Sequence, residues 1–150
     1  MSALRVAIAD DSALMRQGVA RVLEDAGFEV VAQSENAVDL MHAIGSLKPD
    51  VAVIISDLAG FAEDDTRTKR ALARLRRSAG SIIAIVPSPQ GFLPVATSAH
   101  GRRVRELMVR DQQSTMEPGR RLLLRHGVRV IEGAPGSSLD QLLHGRRNAA

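Results

Sequence analysis

Two adjacent carboxylates, Asp10 and Asp11, follow a short apolar run from Leu4 to Ala9. At the carboxyl end of a strand such a pair can hold a hard divalent cation such as Mg²⁺, which takes a few carboxylates and keeps several waters. The same residues also suit a plainer duty, with Asp11 capping the helix that follows and Asp10 sitting in the turn. Other chemistry is scarce. His42, His100, His126 and His144 are scattered, none in metal-ligand spacing with another, and read as solvent-facing or capping residues. There is no Gly-rich phosphate loop and no Gly-x-Ser-x-Gly. Cysteine is absent, which excludes thiol catalysis, Cys-ligated zinc, iron–sulfur clusters and disulfides. Arg67, Arg70, Arg74 and Arg77 recur at helical spacing and form a cationic stripe, either a solvated face or a surface for an anionic partner.

The elements that must position these residues alternate. Leu4 to Ala9 reads as a strand, and Asp11-Ser12 offers N-cap oxygens to a helix with the apolar face Met15, Val19, Val22, Leu23, Ala26, closed by Gly27. Phe28 to Ala32 is a second strand. Ala37, Leu40, Met41 and Ile44 mark a second helix, ending before Lys48-Pro49. Val51 to Ile55 is apolar throughout, as a strand buried on both faces of a parallel sheet should be. After a loop over 56–65 comes a helix from Thr66 to Ser78, then a strand from Ser81 to Val86 broken at Pro87-Ser88-Pro89. Phe92 to Thr97 suits a loop or a short strand equally.

Helical patterns cover 101–112 and 117–126, with Pro118 tolerated if it lies in a first turn. Val128 to Ile131 is a last strand, Ser138 to Gly145 a short helix, and 146–150 a frayed tail. Met15, Met41 and Met108 fall on apolar helical faces and read as core filler.

The chain has 150 residues, 45% hydrophobic and 25% charged, which suits a single globular domain over 1–150 with enough length to bury a core unaided. Only three aromatics occur, all Phe, which removes the stacking platforms of single-stranded nucleic-acid binders. The net charge of +3 conceals a split: residues 1–65 sum to −8 and residues 66–150 to +11. No run is long enough to span a membrane and no signal peptide opens the chain, so a cytoplasmic location is expected.

The stretch Leu4-Arg-Val-Ala-Ile-Ala-Asp-Asp-Ser12, with Leu14-Met-Arg-Gln-Gly18, Leu23-Glu-Asp-Ala-Gly-Phe28 and Lys48-Pro-Asp-Val-Ala-Val53, resembles the receiver domain of bacterial response regulators, most of all receivers that precede a LuxR-type DNA-binding domain. His126-Gly-Val-Arg-Val-Ile-Glu-Gly-Ala-Pro-Gly-Ser-Ser-Leu-Asp-Gln-Leu-Leu143 resembles the last strand and helix of that fold. The resemblance implies a doubly wound α/β domain, its five parallel strands in the order 2-1-3-4-5. It also implies phosphoryl transfer from a histidine kinase to an Asp after the third strand. Mg²⁺ would sit on that Asp and the acidic pair, with a Thr or Ser and a Lys engaging the phosphoryl oxygens.

Asp10 and Asp11 match the family's acidic pair, while the acceptor position falls on Ile55 and the nearest carboxylate, Asp57, lies two residues on. The hydroxyl position falls on Pro87, beside Ser88, and the Lys position on Glu132 or Gly133, where a glutamate would repel a phosphoryl group. The segment 87–125 is some twenty residues longer than the family's equivalent, and no DNA-binding effector domain is expected after residue 150.

The leading expectation is therefore a degenerate stand-alone receiver, not an enzyme, with at most weak Mg²⁺ binding. It would act on a protein partner, a histidine kinase or another regulator, through Arg67, Arg70, Arg74 and Arg77 or through 87–125. One alternative is an active receiver with Asp57 as phosphoacceptor. Another is a DNA contact by the basic half, with Gly101 to Gly127 reading as helix, turn, helix and offering Arg102, Arg103, Arg105, Arg110, Arg120, Arg121 and Arg125 to phosphates.

Overall fold

The computed structural model describes residues 2–59, 61, 66–134 and 138. Five strands, β1 (Arg5–Ala9), β2 (Glu29–Ser34), β3 (Val51–Ile55), β4 (Ser81–Pro87) and β5 (Arg129–Gly133), form one sheet in the order β2-β1-β3-β4-β5. Every pairing is parallel. The helices are α1 (Ala13–Asp25), α2 (Ala37–Leu47), α3 (Thr66–Ser78), the single turn α4 (Pro89–Phe92) and α5 (Ala99–Arg125). The expected topology is thus the observed one, and the expected helix after Ser138 lies outside the described residues.

Strand alternation divides the interior into two cores of different character. On one face Ala7, Ala9, Ala52 and Ala84 leave shallow ground, and α2, α3 and α5 settle onto it through Leu40, Ile44, Leu72, Leu75, Met116, Leu122 and Leu123. On the other face Val6, Ile8, Val51, Val53 and Ile83 stand taller beneath Ala20 and Leu23 of α1. Each fully buried Leu or Ile contributes about 1.5–3 kcal/mol relative to exposure, so either face alone is a substantial driving force.

The helix ends follow local chemistry. Gly27, at φ +87°, takes the left-handed turn after α1. Asn36 caps α2 by accepting the Asp39 N–H at 2.9 Å. Lys48 ends α2 in the left-handed region at φ 46°, immediately before Pro49.

Two sequence expectations need correction. The patterns at 101–112 and 117–126 are one helix of 27 residues that runs through Pro118. Proline in a helix interior costs about 3 kcal/mol, and here it is outweighed by a continuous stripe, Val109, Met116, Gly119, Leu122 and Leu123, buried along one side across the proline. A helix-turn-helix is therefore absent from Gly101–Gly127. Second, Met15 and Met108 are each 51% exposed and fill no core, while Met41 does pack against it. The buried face of α1 is rotated from the expected one, resting on Ala20 and Leu23 and leaving Val22 outside. Of the two forms open to Phe92–Thr97, the structure shows the loop: α4 ends at Phe92 and the chain runs irregularly to Ser98, the N-cap of α5.

Candidate functional site

The carboxyl ends of β1, β3, β4 and β5 lie along one edge of the sheet, where open parallel sheets gather their ligands. Asp10 follows β1 directly. Its amide donates to the Ser34 carbonyl at 3.2 Å, and its Oδ1 accepts the Ser12 N–H at 2.7 Å, a turn closed by the aspartate itself. Ser12, not Asp11, caps α1, its Oγ accepting the Met15 N–H at 3.3 Å. Arg16 reaches back from α1 to donate to the Asp10 carbonyl at 2.6 Å, holding the turn against the helix. Asp11 is exposed.

The strand register decides what faces this pair. Ala9 of β1 pairs with Ile54 of β3, so the next step brings Asp10 level with Ile55, a half-buried side chain on the α1 side of the sheet. Asp57 lies two residues further, about 6.5 Å along an extended chain. Its Oδ1 accepts the Ala59 N–H at 2.9 Å, a self-closed turn like that of Asp10. Among the described residues no group of three His, Asp or Glu side chains converges to hold a metal ion, so Asp57 does not join Asp10 and Asp11. The donor set is two carboxylates, one of them with an oxygen already taken by an amide, which does not fit a three-carboxylate Mg²⁺ site.

Beyond Asp57 the chain makes a turn that sequence reasoning missed. Leu58 adopts φ 60° with its side chain wholly buried, a left-handed conformation that a non-glycine residue holds only under constraint. The constraint is α5. A Cβ on Gly119 would stand 2.9 Å from the Phe61 Cβ and 3.1 Å from the Leu58 Cβ, so only glycine lets the helix come this close.

Pro87 is the last residue of β4, opposite Gly133, and brings no hydroxyl. The Ser88 amide donates to the Gly133 carbonyl at 2.8 Å, and its hydroxyl makes no capping bond to α4. Glu132 of β5 corrects an expectation: it is no lone repulsive carboxylate, since Arg120 of α5 donates to its Oε1 at 2.8 Å. This ion pair borders a cleft of about 190 Å³ whose apolar walls are Leu58, Val86, Pro89 and Met116. No sequence signal links Arg120 to Glu132, because only the packing of α5 on the sheet brings them together.

The stripe Arg67, Arg70, Arg74 and Arg77 is exposed along α3. His42 and His100 are exposed, His126 is the C-cap of α5, and His144 lies outside the described residues.

No family model matches the chain. Over 51 residues it is 33% identical to the chemotaxis protein CheY of Listeria monocytogenes and to that of Listeria innocua, a match covering 34% of this chain and 43% of each relative. The chain thus spans less than half the length of the curated relatives it matches. Solved structures match nearly throughout. The receiver domain of RcsB from Salmonella enterica serovar Typhimurium, in the presence of the phosphomimetic BeF₃⁻, superposes with TM-score 0.56 at 16% identity, covering 98% of this chain and 91% of that one. A LuxR-family DNA-binding response regulator from Staphylococcus aureus gives 0.54 at 16% identity, over 93% and 92%. A pilus assembly-related protein from Burkholderia pseudomallei gives 0.52 at 19%, over 93% and 86%. The chain has the fold of response-regulator receiver domains. Among the helices described, none is long and apolar enough to cross a membrane.

Proposed function

We propose that this chain is a receiver-like regulator of two-component signalling that works by protein interaction without being phosphorylated, with residues 1–150 forming one domain in the cytoplasm. The observation that carries the reading is the register that sets Ile55, without a nucleophile, level with Asp10. Pro87 in place of a hydroxyl and Glu132 bound to Arg120 in place of a lysine support it, since acyl-phosphate chemistry needs a nucleophile, a phosphoryl contact and a cation. Asp10 and Asp11 would then bind Mg²⁺ weakly, through two carboxylates and water.

The enlarged 87–125 segment supplies the surface. Val104, Leu107 and Met108 are exposed on the amino-terminal part of α5, before its buried residues begin at Val109, with Leu107 61% exposed. Arg103 and Arg110 run along one edge of that ridge, two helical turns apart. An apolar ridge edged by guanidinium groups suits a kinase or second regulator that presents an apolar groove with an acidic border.

The alternative, phosphorylation on Asp57, has a direct test. Intact mass after incubation with acetyl phosphate and Mg²⁺ should show no phosphoryl adduct. An adduct lost in Asp57→Asn would establish the active receiver instead.

A further inference from the structure

We propose that α3 and the carboxyl-terminal half of α5 form a second, separate surface that binds the phosphate backbone of a nucleic-acid duplex. Residues 66–80 contain six Lys or Arg and residues 118–131 contain four, with no Asp or Glu in either segment. The fold brings these segments together. Arg76 of α3 donates to the Gly127 carbonyl at 2.6 Å, and Ala73, Arg76, Arg125, His126 and Gly127 line an open groove of about 410 Å³ between them. Gly127 sits at φ +72°, and a Cβ there would run into the Arg76 guanidinium, so the contact depends on a glycine in a left-handed turn.

The surface is cationic over a length that matters. From Arg67 to Arg77 the exposed stripe of α3 covers about 15 Å of helix axis. Duplex DNA carries one charge per about 1.7 Å, so about nine phosphates lie within that span.

The choice of a phosphate polymer over an acidic protein follows from what the surface lacks. Protein interfaces are anchored by buried apolar or aromatic side chains, whereas the exposed face of α3 presents only Thr, Arg and Ser. Bidentate guanidinium groups without apolar anchors match the backbone-positioning part of a protein–DNA contact. None of the three Phe, the chain's only aromatics, lies within 66–80 or 118–131, so these segments offer no aromatic platform for bases and a duplex is favoured over a single strand. A sequence pI of about 10.5 fits the same footprint. Phosphate contacts carry no sequence information directly, so binding should be independent of sequence.

The test is fluorescence anisotropy of a labelled 30-base-pair random duplex with the full chain, from 50 to 200 mM KCl. Binding in the micromolar range at 50 mM is expected, with log K falling against log salt at a slope of about −3 to −5. Arg74→Glu with Arg77→Glu should weaken binding at least tenfold. Arg103→Glu with Arg110→Glu, an equal charge change on the other half of α5, should weaken it less than threefold. Urea midpoints within error of the parent chain verify that both variants fold. No binding at 50 mM, equal losses in the two variants, or tighter binding to the single strand would each overturn the proposal. So would displacement of the duplex by poly-glutamate at lower charge concentration than by unlabelled duplex, which would identify an acidic polypeptide as the partner. None of these outcomes depends on the phosphorylation state of Asp57, so this proposal and the receiver reading stand or fall separately.

Discussion

Arg120 of α5 donates to Glu132 of β5 at 2.8 Å, tying the longest helix to the end of the last strand. Both side chains are nearly half exposed, which limits what the pair adds to stability. Its larger effect is on the charge at the sheet edge, where it cancels a carboxylate that would otherwise join Asp10, Asp11 and Asp57 in making the edge acidic.

A double-mutant cycle measures this directly. Arg120→Ala and Glu132→Ala, alone and together in urea titrations, should give a coupling of about 0.2–1 kcal/mol that shrinks in high salt. A coupling above 2 kcal/mol would mean the pair is shielded from solvent to a degree its exposure does not suggest.

Gly119→Ala should destabilise the protein by about 1–3 kcal/mol, because the added methyl meets the Phe61 and Leu58 Cβ atoms and α5 must move outward. Thermal unfolding checks this, and a neutral result would mean α5 does not rest on the Leu58 turn.

Pro118→Ala should stabilise the chain by about 1–3 kcal/mol, since an amide is restored inside a continuous helix. Two helices joined at Pro118 would instead make the substitution neutral or harmful. Urea midpoints distinguish the cases.

Ser12→Ala should cost about 1 kcal/mol through loss of the α1 cap, while Asp11→Ala should stay within about 0.5 kcal/mol. The reverse order would assign the cap to Asp11.

Asp57→Asn should leave signalling unchanged in a deletion strain complemented with the variant, scored by transcript profile. A profile matching the deletion, with the variant folded, would sink the phosphorylation-independent reading.

The topology was legible because its signals are local and repeated. Val51 to Ile55 is apolar at every position, Gly27 and Lys48-Pro49 punctuate the helices, and the β1 turn carries its own carboxylates. The joining of α5 was not legible in the same way. Pro118 is a strong local breaker, and the stripe from Val109 to Leu123 outweighs it only when the sheet beneath is present to bury it. Ser12 and Asp11 are both competent caps, and the choice depends on Asp10 drawing the Ser12 amide into its own turn. The Arg120–Glu132 pair and the left-handed Leu58 arise from tertiary packing that no residue spacing announces. At the candidate site, the register of Ala9 with Ile54 agrees with the count along the sequence that sets Ile55 level with the acidic pair.

The length of α5 has a mechanical consequence. A 27-residue helix extends about 40 Å, whereas the seven residues of β4 cover about 23 Å, and the buried residues of α5 are confined to 109–123. The first ten residues therefore form a cantilever, steadied near its root where Arg105 donates to the Gln90 carbonyl at 2.8 Å. A load applied at Leu107 acts about 18 Å from Gly119, where the helix rests on Leu58, so a partner seated on the free arm would exert torque on the turn that follows Asp57.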